Sequence, residues 1–156
     1  MICFDRGKNR FNLRVAGVSI YNGRVLLHRT EKDDFWALPG GRNEFNEFSE
    51  QTLVREMKEE IDEVVEVNRL LWIVENFFEH ESKEFHETSF YYLMDFNEDS
   101  LVLTKEEFRG IEGDGYLIYK WFDIEDIDEV EVYPTFIKKK LLNLSPEIEH
   151  IMVRED

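Results

Sequence analysis

The 156-residue sequence predicts an α/β protein in which helices cover both faces of a mixed β-sheet, an α/β/α sandwich. Strand-like runs surround one segment of helical periodicity at residues 48–62, and a second amphipathic segment follows Pro134. The run at residues 64–78 is too continuously apolar for a sheet with one wet face. With no repeat or linker to divide it, the chain indicates one domain over residues 1–156.

The first third of the chain predicts a hairpin followed by a glycine turn. The runs at residues 11–21 and 24–28 flank Asn22-Gly23, which is the strongest short hairpin signal. A brief apolar run at residues 35–38 then leads into the turn Pro39-Gly40-Gly41. These runs supply the strands that precede the first helix.

The second half of the chain predicts further strands and short helices. Strands at residues 64–78 and 85–96, joined by the charged connection 79–84, form a long hairpin. The remaining predictions are a loop at residues 110–115, a strand at 116–122, a short acidic helix at 124–130 and an amphipathic helix with Pro134 in its first turn. The tail after Pro146 shows no clear pattern.

The segment at residues 48–62 is predicted to begin with Ser49 as its N-cap and to carry two adjacent stripes. At 3.6 residues per turn, one stripe is apolar, with Leu53, Val54, Met57 and Ile61, and the other is acidic, with Glu56, Glu59, Glu60 and Glu63. Like charges at this spacing destabilise an isolated helix by a few tenths of a kcal/mol per pair. One interpretation is that a bound divalent cation offsets this cost, since carboxylates are suitable ligands for Mg²⁺ or Mn²⁺. The alternative is a solvated acidic face.

Composition limits the classes of partner. A net charge of −16 argues against nucleic acid polymers and anionic membrane surfaces. A small phosphorylated substrate stays compatible with that charge, because bound metal reverses the local sign. The single cysteine excludes an intramolecular disulfide and a thiolate zinc cluster. With no secretory leader and no long apolar run, a cytoplasmic protein is expected, of unknown oligomeric state.

The glycine turn and the acidic segment have a fixed spacing. After Leu38-Pro39-Gly40-Gly41 come five residues, then Glu47, seven more residues, and the run Arg55-Glu56-Met57-Lys58-Glu59-Glu60. This pattern resembles the signature of the Nudix hydrolases, whose α/β/α fold agrees with the one predicted above. The pattern over residues 41–63 departs from the family at Asp62 and Glu63, where a glycine and an aliphatic residue are usual. The glycine would stop the helix in a left-handed conformation, which Asp reaches at a cost on the order of 1 kcal/mol.

The resemblance implies hydrolysis of a nucleoside diphosphate linked to another group, with water and a divalent metal. It implies that Glu56, Glu59 and Glu60 are ligands of Mg²⁺ or Mn²⁺, and that Glu59 or Glu60 acts as the base. Glu47, directly or through water, and the Gly41 carbonyl are further expected ligands. Arg55 is expected to support catalysis by pairing with Glu47 and fixing the loop.

Residues outside this signature have two interpretations each. Family members often borrow an acidic ligand from a loop before a later tryptophan-containing strand, so Glu112 is either that ligand or an ordinary turn carboxylate. Arg29 and Arg42 either bind substrate phosphates or are surface charges. The aromatic residues in the long strands stack on a base or belong to the core: Phe77, Phe78, Tyr91 and Tyr92.

Three functional hypotheses follow. The favoured one is a metal-dependent pyrophosphohydrolase acting on a nucleotide or a nucleotide conjugate. The alternatives are a Nudix-fold sensor that binds such a ligand without cleaving it, and an acidic interaction domain without a small-molecule site. The sequence does not identify the substrate. Nucleoside triphosphates, damaged nucleotides, nucleotide sugars and other classes all stay open.

Overall fold

The computed structural model describes residues 1–155. Within them, ten strands and two α-helices follow one another: β1 (Cys3–Arg6), β2 (Asn9–Val18), β3 (Ile20–Tyr21), β4 (Arg24–Thr30), β5 (Gly40–Arg42), α1 (Ser49–Ile61), β6 (Val65–His80), β7 (Lys83–Phe96), β8 (Glu107–Glu112), β9 (Gly115–Asp123), α2 (Phe136–Leu142) and β10 (Glu149–Arg154). Two 3₁₀ helices add to them, at Leu101–Thr104 and Ile124–Glu129. None of the helices in the described residues is long and apolar enough to cross a bilayer.

The strands form two sheets. The first is mixed, in the order β1-β2-β7-β6-β10 with β5 also paired to β2, and the second is antiparallel, in the order β3-β4-β9-β8. In the first sheet β2 runs parallel to β7 and β10 parallel to β6, while its other pairs are antiparallel. The predicted α/β class with a mixed sheet is therefore confirmed. The division into two sheets depends on pairings between distant strands, which the sequence did not reveal.

Alternation along β2 places the core on both faces of the first sheet. Val15 packs in a buried cluster with Leu53 and Met57 of α1. The next residue, Ala16, belongs to a second buried cluster with Ile137 of α2. Because successive side chains of a strand point to opposite faces, the two helices cover the two faces of the same sheet. This layering fixes α1 against β5. The turn predicted at Pro39-Gly40-Gly41 is wrong at both glycines, because Gly40 and Gly41 pair with Ala16 and Val15 as part of β5.

Several predicted boundaries differ from those in the structure. The residues at 110–112 lie in β8, so the predicted loop at 110–115 shrinks to the turn Gly113-Asp114. Gly110 has a packing role, since a Cβ atom there would lie 2.7 Å from Cε1 of Tyr119 and 3.0 Å from the Glu60 carbonyl oxygen. The hairpin connection is likewise only Glu81-Ser82, because β6 and β7 extend into the predicted charged segment. The ambiguous tail supplies β10.

Helix α1 differs from its prediction at its start and on its apolar stripe. Ser49 is its first residue and not its N-cap; the amide of the preceding Phe48 donates to Gln51 Oε1 at 2.8 Å. Val54 is exposed, whereas Glu60 is 7% exposed and lies with the buried residues of the helix. Burial has therefore separated Glu60 from the solvated acidic stripe on which the periodicity placed it.

Helix α1 ends just before Asp62 and Glu63, the two residues that depart from the family pattern. Asp62 adopts the left-handed conformation, with φ 55° and ψ 40°, and its amide donates to the Lys58 carbonyl at 3.1 Å. Glu63 lies past the helix, where its carboxylate accepts a hydrogen bond from Ser100 Oγ, so it does not join the other glutamates. The predicted left-handed stop is therefore present without a glycine.

Replacing Asp62 with glycine is expected to raise the free energy of unfolding by up to about 1 kcal/mol, because glycine adopts a positive φ without steric cost. The lost Asp62–Lys58 ion pair joins side chains that are 86% and 58% exposed, so its removal offsets little. Thermal unfolding measures the change, at roughly 2–4 °C per kcal/mol. Asp62→Asn is the control, since it removes the charge and keeps the left-handed tendency. A lower melting temperature for Asp62→Gly alone would contradict this account.

Candidate active site

The first feature of the site is the contact between Gly41 and Glu56. Strand β5 pairs with β2 and packs against α1, which brings Gly41 over the helix. A Cβ atom at Gly41 would lie 2.2 Å from the carboxyl carbon of Glu56 and 2.5 Å from both of its oxygens. Only glycine lets this carboxylate rest on the backbone. The fixed spacing between Gly41 and the helix thus has a direct geometric cause.

Arg55 joins the loop before α1 to the glutamates of the helix. Its guanidinium makes two bonds to Glu47, Nε to Oε2 at 2.7 Å and Nη2 to Oε1 at 3.1 Å. Nη1 donates to Glu56 Oε1 at 2.9 Å and to Glu59 Oε2 at 3.2 Å, while Nη2 also donates to the Arg42 carbonyl. The paired fork is the geometry that favours arginine over lysine. One cation therefore holds three carboxylates and the end of β5.

Glu47 is almost fully occupied by these contacts. Besides Arg55, its Oε1 accepts hydrogen bonds from Thr52 Oγ1 at 2.7 Å and from the Glu44 amide at 3.2 Å. The hydrogen bonds from Arg55, followed by those from Thr52 and the Glu44 amide, lower the pKa of Glu47 to about 2 despite partial burial. The carboxylate is charged at neutral pH and orders the loop ahead of α1.

Glu60 lies in the opposite environment, inside the protein. The hydroxyl of Tyr119 on β9 donates to its Oε1, and Nδ1 of the buried His28 on β4 lies 3.9 Å from the same oxygen. Burial and the neighbouring Glu56 raise the pKa of Glu60 well above its ordinary value. Burial, with a smaller contribution from the Arg14 charge, lowers the pKa of His28 to about 3, so this imidazole is neutral at pH 7.

The two ends of the cluster therefore have different protonation behaviour. Glu56 lies between them, with Arg55 on one side and Glu60 on the other. A buried carboxylic acid beside a second carboxyl group keeps its proton in the absence of a cation, and a nearby positive charge favours its release. The arrangement can hold a proton on Glu60 or surrender it when positive charge enters.

The structure brings together most, but not all, of the residues that the sequence singled out. Gly41, Glu47, Arg55, Glu56 and Glu59 form one contact network, and Glu60 adjoins it at Glu56. Glu59 is exposed at the edge of this network, with its side chain 59% accessible. The sequence signal located the network because its spacing encodes a close glycine contact, a loop and one helix face.

Glu112, Arg29 and Arg42 occupy other surroundings. Glu112 is exposed at the end of β8, and no hydrogen bond within residues 1–155 joins its side chain to the other glutamates. Arg29 donates to the Asp33 carbonyl at 2.9 Å and lies over the Trp36 ring at 5.3 Å, which orders the loop after β4. Arg42 Nη1 contacts Met1 Sδ at 3.2 Å. Their ligand and substrate roles stay predictions.

The carboxylates offer the hard oxygen donors that Mg²⁺ and Mn²⁺ prefer. In the described part of the chain, however, no three acidic, histidine or cysteine side chains already converge as a metal site. The guanidinium of Arg55 accounts for this, since it draws the carboxylates of Glu47, Glu56 and Glu59 to itself. The donor set fits such a metal, and its convergence requires Glu56 and Glu59 to turn from Arg55.

Sequence reasoning did not assign Tyr119, Arg14 or His28 to the site. These residues belong to β9, β2 and β4, and they meet Glu60 only through pairing between strands far apart in the chain. Arg14 Nη2 donates to the Leu38 carbonyl at 2.8 Å, just before β5, and its charge opposes the rise in the pKa of Glu60. No local motif signals such contacts.

Comparison with known proteins adds three findings. The family profile described as NUDIX domain matches residues 11–142. No curated protein sequence matches the chain significantly. Many solved structures resemble it, though at low sequence identity.

The similar structures include a pyrophosphatase and hydrolases. An ADP-ribose pyrophosphatase from Streptococcus suis is 17% identical, with 90% of this chain and 98% of that chain covered and a TM-score of 0.61. A NUDIX hydrolase from Nitrosomonas europaea is 17% identical, with 92% and 79% covered and a TM-score of 0.63. A MutT NUDIX hydrolase from Burkholderia pseudomallei is 21% identical, with 82% and 95% covered and a TM-score of 0.60. At these identities the likeness shows the fold.

Proposed function

The chain belongs to the Nudix family of pyrophosphohydrolases, whose profile spans residues 11–142, and from this premise we propose that it cleaves a pyrophosphate bond with the help of Mg²⁺ or Mn²⁺. The substrate is a nucleoside diphosphate linked to another group, either a nucleotide or a nucleotide conjugate. The observation that carries the proposal is the junction of Glu56 and Glu60, where a carboxylate on the Gly41 backbone adjoins a buried carboxyl group.

The residues that would hold the metal are Glu56, Glu59 and Glu60, with the Gly41 carbonyl as a further ligand. Their fit is supported by the space that glycine leaves at Gly41 and by the raised pKa of the buried Glu60, a group that gains most from a nearby cation. When bound, the metal neutralises phosphate charge and lowers the pKa of water. Glu47 and Glu112 stay weaker candidates, because Glu47 is occupied by Arg55 and Glu112 is exposed at the end of β8, with no hydrogen bond to the other glutamates among residues 1–155.

The protein's own groups then have distinct tasks. Glu60 is the proposed base, because Tyr119 orients its carboxylate and burial keeps bulk water from competing for it. Arg55 is a positioning residue that fixes Glu47 and the loop before α1, so that Glu56 keeps its place on Gly41. His28 is neutral at pH 7 and adds no positive charge that would weaken Glu60 as a base. A cytoplasmic location remains the expectation.

The test is a nucleotide panel assayed with the purified protein and Mg²⁺. Release of nucleoside monophosphate is followed by chromatography, and phosphate is measured with and without added pyrophosphatase. We expect turnover on at least one nucleotide or conjugate, faster from neutral to mildly alkaline pH, and its loss in excess EDTA. Turnover that continues undiminished in EDTA would contradict the metal requirement. Saturable binding without cleavage of any substrate would favour the sensor hypothesis instead.

A further inference from the structure

A cleft of about 700 Å³ opens on the first sheet beside the active site. Its floor is formed by β6 and β7, and its sides by the loops at residues 32–38 and 131–134. Arg14 and Leu38 line it as well, and Leu38 lies two residues before β5, the strand that carries Gly41. Arg14 also acts electrostatically on Glu60, so this end of the cleft faces the cluster that is proposed to hold the phosphates.

Three buried polar side chains cross the sheet in one row beneath the cleft. Asn12 of β2 pairs in register with Glu87 of β7, which in turn pairs with Asn76 of β6. Each is at least 94% buried, and Glu87 and Asn76 line the cleft. On the same face Val74, next to Asn76, and Ala16, farther along β2, are apolar and buried, whereas Arg14 and Ser89 extend the polar row. Buried polar side chains usually form hydrogen bonds, so such a row favours binding of a polar group.

The row has hydrogen-bonding capacity left over. Among the described residues, Oδ1 of Asn76 has no partner. The carboxylate of Glu87 accepts one bond on each oxygen, from Asn12 Nδ2 at 2.8 Å and from Ser89 Oγ at 3.1 Å, and forms no ion pair within residues 1–155. Each carboxylate oxygen accepts a second bond. Leaving such acceptors buried and unused is costly, and a ligand with N–H donors removes the cost.

The walls of the cleft suit a flat ring. Phe35 meets the rings of Tyr133 and His80 edge to face, with centroids 5.3 Å and 6.2 Å away, and Phe78 forms another side. Aromatic walls of this kind favour stacking with a nucleobase.

The charge of the lining decides which end of a nucleotide enters. Within the described residues, six carboxylate side chains line the cleft against the permanent cations Arg14 and Lys32. Phosphates are repelled from such a lining, whereas a base that donates hydrogen bonds is attracted to it. The phosphates therefore lie at the Arg14 end, towards Glu56 and Glu60.

We propose that this cleft binds the nucleobase of the substrate and that Glu87 and Asn76 select guanine. A carboxylate that accepts two parallel bonds requires adjacent N–H donors, and guanine carries them at N1 and the 2-amino group. On the corresponding edges of adenine and cytosine a donor adjoins an acceptor, and in uracil one N–H lies between two carbonyls. Asn76 supplies a further acceptor beside Glu87. This inference rests on the proposed function, whose reaction releases the nucleoside monophosphate.

Binding of monophosphates to the wild-type protein in EDTA tests the inference without turnover. Titration calorimetry, or ligand-observed NMR for millimolar affinities, compares GMP with IMP, AMP, CMP and UMP. IMP lacks only the 2-amino group. We expect its affinity to be at least about tenfold lower than that of GMP, because one hydrogen bond to a charged acceptor is lost. AMP, CMP and UMP are expected to bind more weakly still. Equal affinity for GMP and IMP, or no binding of GMP, would overturn the proposal.

Two variants locate the effect at Glu87. Glu87→Gln keeps the size of the side chain but replaces one acceptor with a donor, so GMP affinity falls at least about tenfold and the GMP–IMP difference disappears. Glu79→Gln is the matched control. Glu79 is exposed on the same cleft, and its substitution removes the same charge as Glu87→Gln. It is expected to keep the GMP–IMP difference. If both variants keep that difference, Glu87 does not read the base.

The same measurements separate this inference from the proposed function. A guanine preference in binding, with no hydrolysis in Mg²⁺, would uphold the cleft and refute the enzyme activity. Hydrolysis in Mg²⁺ that is equally fast for guanine and other bases would uphold the activity and refute the guanine selection.

Discussion

Replacing Glu60 with glutamine is expected to lower turnover by about 10²-fold or more, the scale of losing a general base or preorganised charge stabilisation. The amide neither takes up a proton nor carries the charge that a metal requires, although it matches the carboxyl group in size. Glu60 is buried and accepts a hydrogen bond from Tyr119, so no bulk water replaces the lost group. Steady-state kinetics on the best substrate of the panel measures the effect, and Glu56→Gln is expected to lose as much.

The same substitution elsewhere supplies the controls. Glu50 lies exposed in the first turn of the same helix, so Glu50→Gln is expected to keep turnover within a factor of about two, as surface changes usually do. Glu112→Gln decides whether the borrowed acidic ligand operates here. Turnover of Glu112→Gln within about twofold of wild type would exclude that role, and near-normal turnover of Glu60→Gln would refute the proposed base.

Millimolar Mg²⁺ is expected to raise the melting temperature of the wild-type protein by several degrees, more than NaCl of matched ionic strength. A cation bound only by the native state adds about 2.7 kcal/mol at a hundred times its dissociation constant. For a domain of this size each kcal/mol corresponds to roughly 2–4 °C. Rearrangement of Glu56 and Glu59 away from Arg55 subtracts from that gain. Equal shifts with Mg²⁺ and NaCl would show that the cluster is only a charged surface.

The stability of the metal-free protein is expected to fall as the pH rises from 7 to 8.5. The pKa of Glu60 is higher in the folded than in the unfolded protein, so its contribution is fully present below the ordinary carboxyl pKa and is lost as the pH rises towards the raised value. The slope is at most about 1.4 kcal/mol, or roughly 3–5 °C, per pH unit. Glu47 and His28 make the protein more stable as the pH rises, but only below pH 7. Their folded pKa values are depressed to about 2 and 3, and their ordinary values also lie below 7.

Glu60→Gln checks both effects through the same melting curves. Without metal it is expected to melt higher than the wild type, and the difference is expected to grow between pH 7 and 8.5, because the variant has no carboxyl group to deprotonate at this position. Its Mg²⁺-specific increment is expected to shrink. A pH slope that is identical in the two proteins would contradict the buried, proton-holding state of Glu60.

The local part of this protein was determined by the sequence. The distance from Gly41 to Glu47 and Arg55 specifies a glycine contact, a loop and one helix face, and the structure joins them through Gly41 and Glu56. The left-handed end at Asp62 and the hairpin at Asn22-Gly23 were also predictable, because a few neighbouring residues and their own backbone preferences decide them. Helical periodicity likewise placed Leu53 and Met57 in the core.

What the tertiary structure alone decided is which side chains the second sheet and the long strands bring against these local units. The periodicity of α1 placed Glu60 beside Glu56 on an acidic stripe, yet β9 and β4 bury it and add Tyr119 and His28. The row of Asn12, Glu87 and Asn76 likewise exists only because β2, β7 and β6 pair in one register. Register between distant strands results from packing of the whole core, which no local preference encodes.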